Sequence, residues 1–407
     1  MSFSVAMLSV HTSPLDIPGR TRDAGGMNVY IRELARELGQ HSISIDIFTR
    51  RTNKNIPHIV QLSPNVRIIS IPAGPTTQIP KLDLYSYLPI FEQNIEDFRC
   101  SEALHYDIVH SHYWLSGVAG MHLAQHWDIP HAIMFHTLGY LKQLANPDEP
   151  EPPLRLKMER MLIRRANRII ASTAEERMQM IRHYGATAHS VQVIPCGVDL
   201  EHFVPQNFQE ARKKLGLKPH QAVLLFVGRL DPFKGPDVLL RAAAMMEEDA
   251  QVVIVGGKAM GDEQVLQLRK LATELNIRRR VHFLGARPQQ ELPMIYSAAD
   301  VTVVPSYSES FGLVAVESLA CGTPVVATRS AGLATVIQDG KTGYLVPRCP
   351  GFFAERLESL LRDPDLLAQM QLAARPSVLR FSWKNVANAM LDVYENGILE
   401  TRQLAVL

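Results

Sequence analysis

The chain has 407 residues, with 42 Lys and Arg against 41 Asp and Glu, for a formal net charge of +1. That balance gives no pull toward nucleic acid or an anionic membrane surface. An apolar fraction of 46% with 20% charged residues excludes a disordered chain, and the length suits two domains. Cys100, Cys196, Cys321 and Cys349 are scattered without metal or disulfide spacing, which reads as reduced thiols in a cytoplasmic protein. The N-terminal SFSVAMLSV lacks a basic lead and a cleavage pattern, so it reads as a first strand and not a signal peptide. No apolar run approaches the ~20 residues that span a bilayer.

Residues 4–10 read as that strand, residues 11–27 as a loop holding Asp23, Ala24, Gly25 and Gly26, and residues 28–39 as a helix. Val29, Ile31, Leu34, Ala35 and Leu38 give the helix its 3.6-residue period. Strand, glycine loop and helix form a unit that lets a ligand approach the backbone, although two glycines alone also serve a plain turn. Strands follow over 45–50, 66–72, 107–110, 131–136, 168–171 and 191–195, with helices around 87–104, 114–126, 153–166 and 174–184. This alternation predicts a parallel sheet covered on both faces.

Residues 199–219, with Pro205, Asn207 and Pro219, break the pattern and read as a linker. A second alternation places strands over 223–228, 251–256, 281–285, 300–305, 324–328 and 343–346. Helices lie between them over 236–246, 262–275, 290–297, 312–320 and 331–338, and three more follow over 351–362, 365–374 and 382–397. The expected fold class is α/β, with one domain over 1–205, a second over 206–381, and a final helical segment over 382–407.

Ligands of open α/β sheets bind at the carboxyl ends of strands. The polar and glycine-rich points of this chain fall there: residues 25–27, Tyr113, His136 with Thr137, residues 229–234, and residues 309–312. In SYSESFGLVAVESLACG, from Ser306, Glu309 lies in a loop and Glu317 inside the helix that Gly312 opens. The amides of Gly312, Leu313 and Val314 are free at that helix start to meet an anionic or hydroxyl-rich ligand. Apolar neighbours on both sides of Glu317 argue against a solvated polar face, because an unpaired carboxylate there is costly.

In GRLDPFKGPD, Arg229 and Lys234 at one strand end suit a diphosphate, with Asp231 as a competing ion-pair partner. His136 either caps the sheet or faces the site, with Lys142 in reach. His110 and His112 lack a third ligand for zinc. Lys81, Arg155, Lys157, Arg160, Arg164 and Arg165 give the first half a basic bias, mostly as a solvated helix face, with Lys81 and Arg155 as candidates for a substrate phosphate.

GGMNVY from Gly25, SHYWLSG from Ser111, the GRLDPFKG run, and the Glu309 and Glu317 pair within SESFGLVAVESLACGTPVVA resemble glycosyltransferase family 4, retaining enzymes of the GT-B fold. The likeness covers nearly the whole chain. It implies two Rossmann-like domains facing across a cleft, with the last helix crossing back to the first. It also implies an NDP-sugar donor such as UDP-glucose, no obligatory metal, and Mg2+ as a stimulant at most.

Carried over by position, Arg229 and Lys234 hold the diphosphate, and Glu309 with Phe311, Gly312 and Leu313 holds the donor sugar. Glu317 takes the ribose, His136 sits beside the donor sugar, and Gly25 and Gly26 bring the first loop to the diphosphate. The implied mechanism is front-face: the acceptor hydroxyl attacks from the side the diphosphate leaves, with no side-chain nucleophile. The acceptor set is Met27, Asn28, Lys81, Tyr113, Thr137, Lys142 and Arg155.

Both sucrose-phosphate synthases, through HTLGYLK, and inositol-phosphate N-acetylglucosaminyltransferases, through GGMNVY, SHYWLSG and SESFGLVA, resemble the chain. HTLG touches the acceptor, which favours fructose 6-phosphate. Inositol phosphate with UDP-N-acetylglucosamine is the alternative. An inverting relative or an epimerase would need a side-chain base, and a two-lobed binding protein would not need Arg229, Lys234 and Glu309 together.

Overall fold

The computed structural model describes residues 3–16, 25–145, 147–148, 150–257 and 262–404. Asp23 and Ala24 of the first loop lie outside the described residues. The chain divides into two compact units. Of the described residues, the first holds 3–16, those from 26 to 195 and 383–404, and the second holds 25 and those from 196 to 382.

In the first unit the strands are β1 Ser4–Ser9, β2 Ser44–Arg50, β3 Ile59–Ser63, β4 Val66–Ile71, β5 Ile108–His112, β6 His131–Met134, β7 Arg168–Ala171 and β8 Val191–Val193. Among the described residues they form an eight-stranded sheet in the order β3-β4-β2-β1-β5-β6-β7-β8. Pairing is parallel throughout except at β3, which runs antiparallel to β4. β1, β5, β6 and β7 are buried almost end to end, as a sheet covered on both faces requires.

Helix Tyr113–Trp127 lies close on this sheet because it carries glycine where it meets β5. A Cβ on Gly120 would collide with the Ser111 hydroxyl, and one on Gly117 would come within 2.8 Å of Leu162. The C-terminal helix Trp383–Leu404 belongs to this unit and packs on helix Gly26–Gly39 and on β5. Arg402 pairs with Asp107 at 2.9 Å, Arg168 with Glu400, and the buried Tyr394 hydroxyl meets His110 Nδ1 at 2.6 Å.

The second unit holds β9 Val223–Val227, β10 Gln251–Val255, β11 Val281–Gly285, β12 Val301–Val304, β13 Val325–Thr328 and β14 Gly343–Val346. Among the described residues these make a six-stranded, wholly parallel sheet in the order β11-β10-β9-β12-β13-β14. Each sheet has one place where successive strands depart to opposite sides: β1 with β5 in the first, β9 with β12 in the second. Loops leaving such a switch point splay apart and open a crevice at the carboxyl ends.

Four elements depart from the sequence reading. β3 is not among the strands read from the sequence; it is a half-exposed edge strand without a buried run to betray it. Helix Gly139–Ala145 lies in the stretch read only as a site loop. Helix 174–184 is α over Ala174–Gln179 and then one π turn over Met180–Tyr184.

The expected linker 199–219 contains helix Phe208–Lys214, capped by the Asn207 side chain accepting from Glu210 N–H at 3.0 Å. It is anchored by the buried Arg212, whose Nη2 meets Asp300 at 2.6 Å. Its prolines flank the helix and do not prevent it.

Candidate active site

In the first unit the loops leaving β1, β5 and β6 converge. Asn28, near the start of helix Gly26–Gly39, is fully buried and spends its amide on the β1 loop, donating to Thr12 Oγ1 at 2.7 Å and the Ser13 carbonyl at 2.5 Å. It therefore positions that loop. Met27 is partly buried against the core, and among the described residues nothing lies within 4 Å of a Cβ added at Gly25.

Tyr113 and His136, the residues just past β5 and β6, both adopt left-handed backbone, at φ 76° and 60°. Thr137 N–H donates to the Phe135 carbonyl at 2.7 Å and closes a three-residue turn around His136, a strained form. Each such residue costs of order 1–3 kcal/mol and persists only where its surroundings over-determine it.

Those surroundings are cationic and aromatic. The Tyr113 ring lies 4.5 Å from the His11 ring, 5.0 Å from the Arg155 guanidinium and 5.5 Å from Lys81 Nζ. Burial raises the Tyr113 phenol, so its hydroxyl stays protonated at neutral pH. Burial first, then Lys81, His136 and Arg155, lower His11 well below its ordinary value.

Arg155, a candidate for a substrate phosphate, is 5% exposed. Its Nε meets Glu159 and its Nη1 meets Glu151, both at 2.7 Å, and Nη2 donates to the Thr137 carbonyl at 2.8 Å and hydroxyl at 3.2 Å. Its fork is thus largely committed to holding the Thr137 turn. Lys142 is bound to Glu151 at 2.7 Å. Burial alone would raise Glu151, but Arg155 and Lys142 hold it below the ordinary carboxylate value. His11, Glu151 and Glu159 were not singled out in the sequence, where nothing in their local pattern separates them from surface residues.

In the second unit the loops leaving β9 and β12 are tied together. Lys234 Nζ meets Glu309 Oε1 at 2.6 Å, and Ser306 Oγ donates to the same oxygen at 2.7 Å. Glu309 Oε2 has no partner among the described residues, which leaves an acceptor for a ligand hydroxyl. Tyr307 N–H donates to the Phe233 carbonyl at 2.8 Å, and Arg348 bonds the carbonyls of Pro305 at 2.9 Å and Pro232 at 3.0 Å. The Arg348 guanidinium also lies 3.5 Å over the Tyr307 ring. Arg348 went unnoticed because it follows β14, far along the chain from both loops.

Arg229 Nε is 3.3 Å from Asp231, the competing partner weighed from sequence, while Lys234 pairs with Glu309 instead. Gly312, at φ 100°, caps helix Leu313–Ala320, and buried Phe311 packs edge-on against Phe381 with ring centroids 5.3 Å apart. Glu317 is buried, with Oε2 accepting from the Tyr296 hydroxyl at 2.8 Å. Gly332 backs the Glu309 loop so closely that a Cβ would collide with the Glu309 carbonyl and lie 2.7 Å from Phe311 N.

Among the described residues no group of three or more His, Cys, Asp or Glu could hold a metal ion, and no helix is long and apolar enough to cross a membrane. An anchored cation, a carboxylate with an open oxygen and a bare helix start can bind a phosphorylated, hydroxyl-rich ligand by preorganised electrostatics.

The family model described as Glycosyltransferase Family 4 matches residues 24–202, and the one described as Glycosyl transferases group 1 matches residues 207–376. D-inositol 3-phosphate glycosyltransferase 2 of Catenulispora acidiphila is 45% identical over 415 residues, covering 98% of this chain and 96% of the relative. D-inositol 3-phosphate glycosyltransferase of Nocardiopsis dassonvillei is 43% identical, covering 96% and 94%.

Among solved structures, sucrose-phosphate synthase from Thermosynechococcus elongatus superposes with a TM-score of 0.90 at 34% identity, covering 97% and 98%. The chain belongs to glycosyltransferase family 4 and is a retaining, NDP-sugar-dependent glycosyltransferase of GT-B fold.

Proposed function

We propose that the chain transfers N-acetylglucosamine from UDP-N-acetylglucosamine to an inositol phosphate, with retention at the anomeric carbon. The observation that carries this reading is Tyr113 packed beside Lys81 and Arg155. Tyr113 is the acceptor residue that the resemblance ties to the inositol enzymes, and here its ring lies beside two cations of the kind a phosphate needs. The names of relatives at 45% and 43% identity weigh the same way. HTLGYLK and the 34% identical neighbour favour the second reading, fructose 6-phosphate as acceptor and UDP-glucose as donor.

In either case Arg229 and Lys234 take the diphosphate, Glu309 takes sugar hydroxyls through Oε2, and Glu317 takes the ribose. As the diphosphate leaves, the acceptor hydroxyl attacks from the same face and its proton passes to the leaving phosphate oxygen. No side-chain nucleophile and no metal is needed for that step.

The test is UDP release from UDP-N-acetylglucosamine or UDP-glucose, each offered D-inositol 3-phosphate or fructose 6-phosphate. The expected pair is N-acetylglucosamine donor with inositol phosphate. Lys81→Ala should raise KM for the acceptor about 10-fold or more, the value of one charge-assisted contact, and spare the donor. A preference for fructose 6-phosphate, or equal use of unphosphorylated inositol, would overturn the reading.

A further inference from the structure

His136 does not stand alone behind the Thr137 turn. Its Nε2 lies 3.0 Å from His112 Nδ1, a hydrogen bond between two rings on adjacent strands' ends. The Tyr30 ring stands edge-on to both, with centroids 5.8 Å from His112 and 5.2 Å from His136. The His110 ring lies 4.2 Å from His112 on its other side and is itself fixed by the Tyr394 hydroxyl. His112 is fully buried, whereas His136 is partly exposed.

We propose that His112 is a positioning residue that fixes the tautomer of His136: His112 Nδ1–H donates to His136 Nε2, so that His136 carries its own proton on Nδ1. Two neutral imidazoles sharing one hydrogen bond admit two arrangements, and burial selects between them. His112 Nε2 is buried without a partner among the described residues. Were the proton there, a buried N–H would be orphaned, which is rarer and costlier than a bare ring nitrogen.

Burial lowers His136 to about 3 and His112 well below its ordinary value, so neither gains a second proton near neutrality. With His112 in place, His136 is held in that one tautomer beside the transferred sugar. That last step rests on the glycosyl-transfer reading, while the tautomer itself does not.

Histidine-selective 15N NMR of the full chain without substrate is the first test. It should find His136 protonated on Nδ1 and bare on Nε2. A proton on Nε2 overturns the proposal whichever acceptor the chain uses. The second test is kinetic. His112→Phe keeps a ring but removes the donor and should lower kcat about 10- to 100-fold, as loss of the outer partner of a functional imidazole does, with acceptor KM little changed. His112→Asn, whose amide nitrogen overlays Nδ1, should restore most of that loss. An Asn variant as slow as the Phe variant, or a change confined to KM, would count against it.

Discussion

Acid should unfold the first unit well before it titrates the carboxylates. His110 and His131 are almost wholly buried, and burial holds both near 3. His11 and His112 are also depressed, with burial again the leading cause. An unfolded histidine titrates near 6.5, so each buried ring takes up a proton on unfolding at any pH between the two values. Its contribution is fully present above about pH 6.5 and is lost as pH falls, at about 1.4 kcal/mol per histidine per unit.

One unit down, at about pH 5.5, His110 and His131 alone remove about 3 kcal/mol, a large share of a typical 5–15 kcal/mol. Glu159 and Glu176, raised by burial, bind protons in the folded chain and return part of this at lower pH. The three tryptophans, Trp114, Trp127 and Trp383, all lie in the first unit. Tryptophan fluorescence during urea unfolding therefore reports that unit alone. The unfolding free energy should fall by about 3 kcal/mol or more between about pH 7.5 and 5.5. His131→Gln, which keeps a polar atom near Nε2, should remove about 1.4 kcal/mol per unit from that slope. Stability that stays level over this interval would refute the claim that these rings are neutral in the fold.

Two further predictions concern the second unit. Lys234→Ala removes the cation that Glu309 anchors at 2.6 Å, and UDP affinity measured by calorimetry should fall by about 1.5–3 kcal/mol, or roughly 10- to 150-fold. An unchanged affinity would take Lys234 out of the diphosphate site. Gly332→Ala pushes a methyl into the Glu309 loop; turnover should fall sharply and the second unit should lose about 1–3 kcal/mol, seen by differential scanning calorimetry, and wild-type turnover would show that the loop yields freely.

Period and punctuation in the chain were enough to read the two mainly parallel sheets, the strand-end location of the candidate site, and Glu309 and Glu317 as distinct loop and helix positions. Each depends on short-range pattern: β-branched runs at β9, β10 and β12, the glycine before helix Leu313–Ala320, and apolar neighbours around Glu317. The edge strand β3 and helix Phe208–Lys214 escaped because one buries too little to show a pattern and the other is held by Asp300, which lies 88 residues from Arg212 in the chain.

The residue types of the candidate site were thus legible in the sequence, since phosphate and hydroxyl ligands demand cations, carboxylates and close backbone wherever they bind. How those groups are spent was decided by the tertiary structure alone. Arg155 is bound into Glu151, Glu159 and Thr137, Arg348 clamps two loops from beyond β14, and His112 reaches His136 across adjacent strands. The reason is that burial sets the cost of an unpaired charge or ring nitrogen, and burial comes from contacts between segments that the linear order keeps far apart.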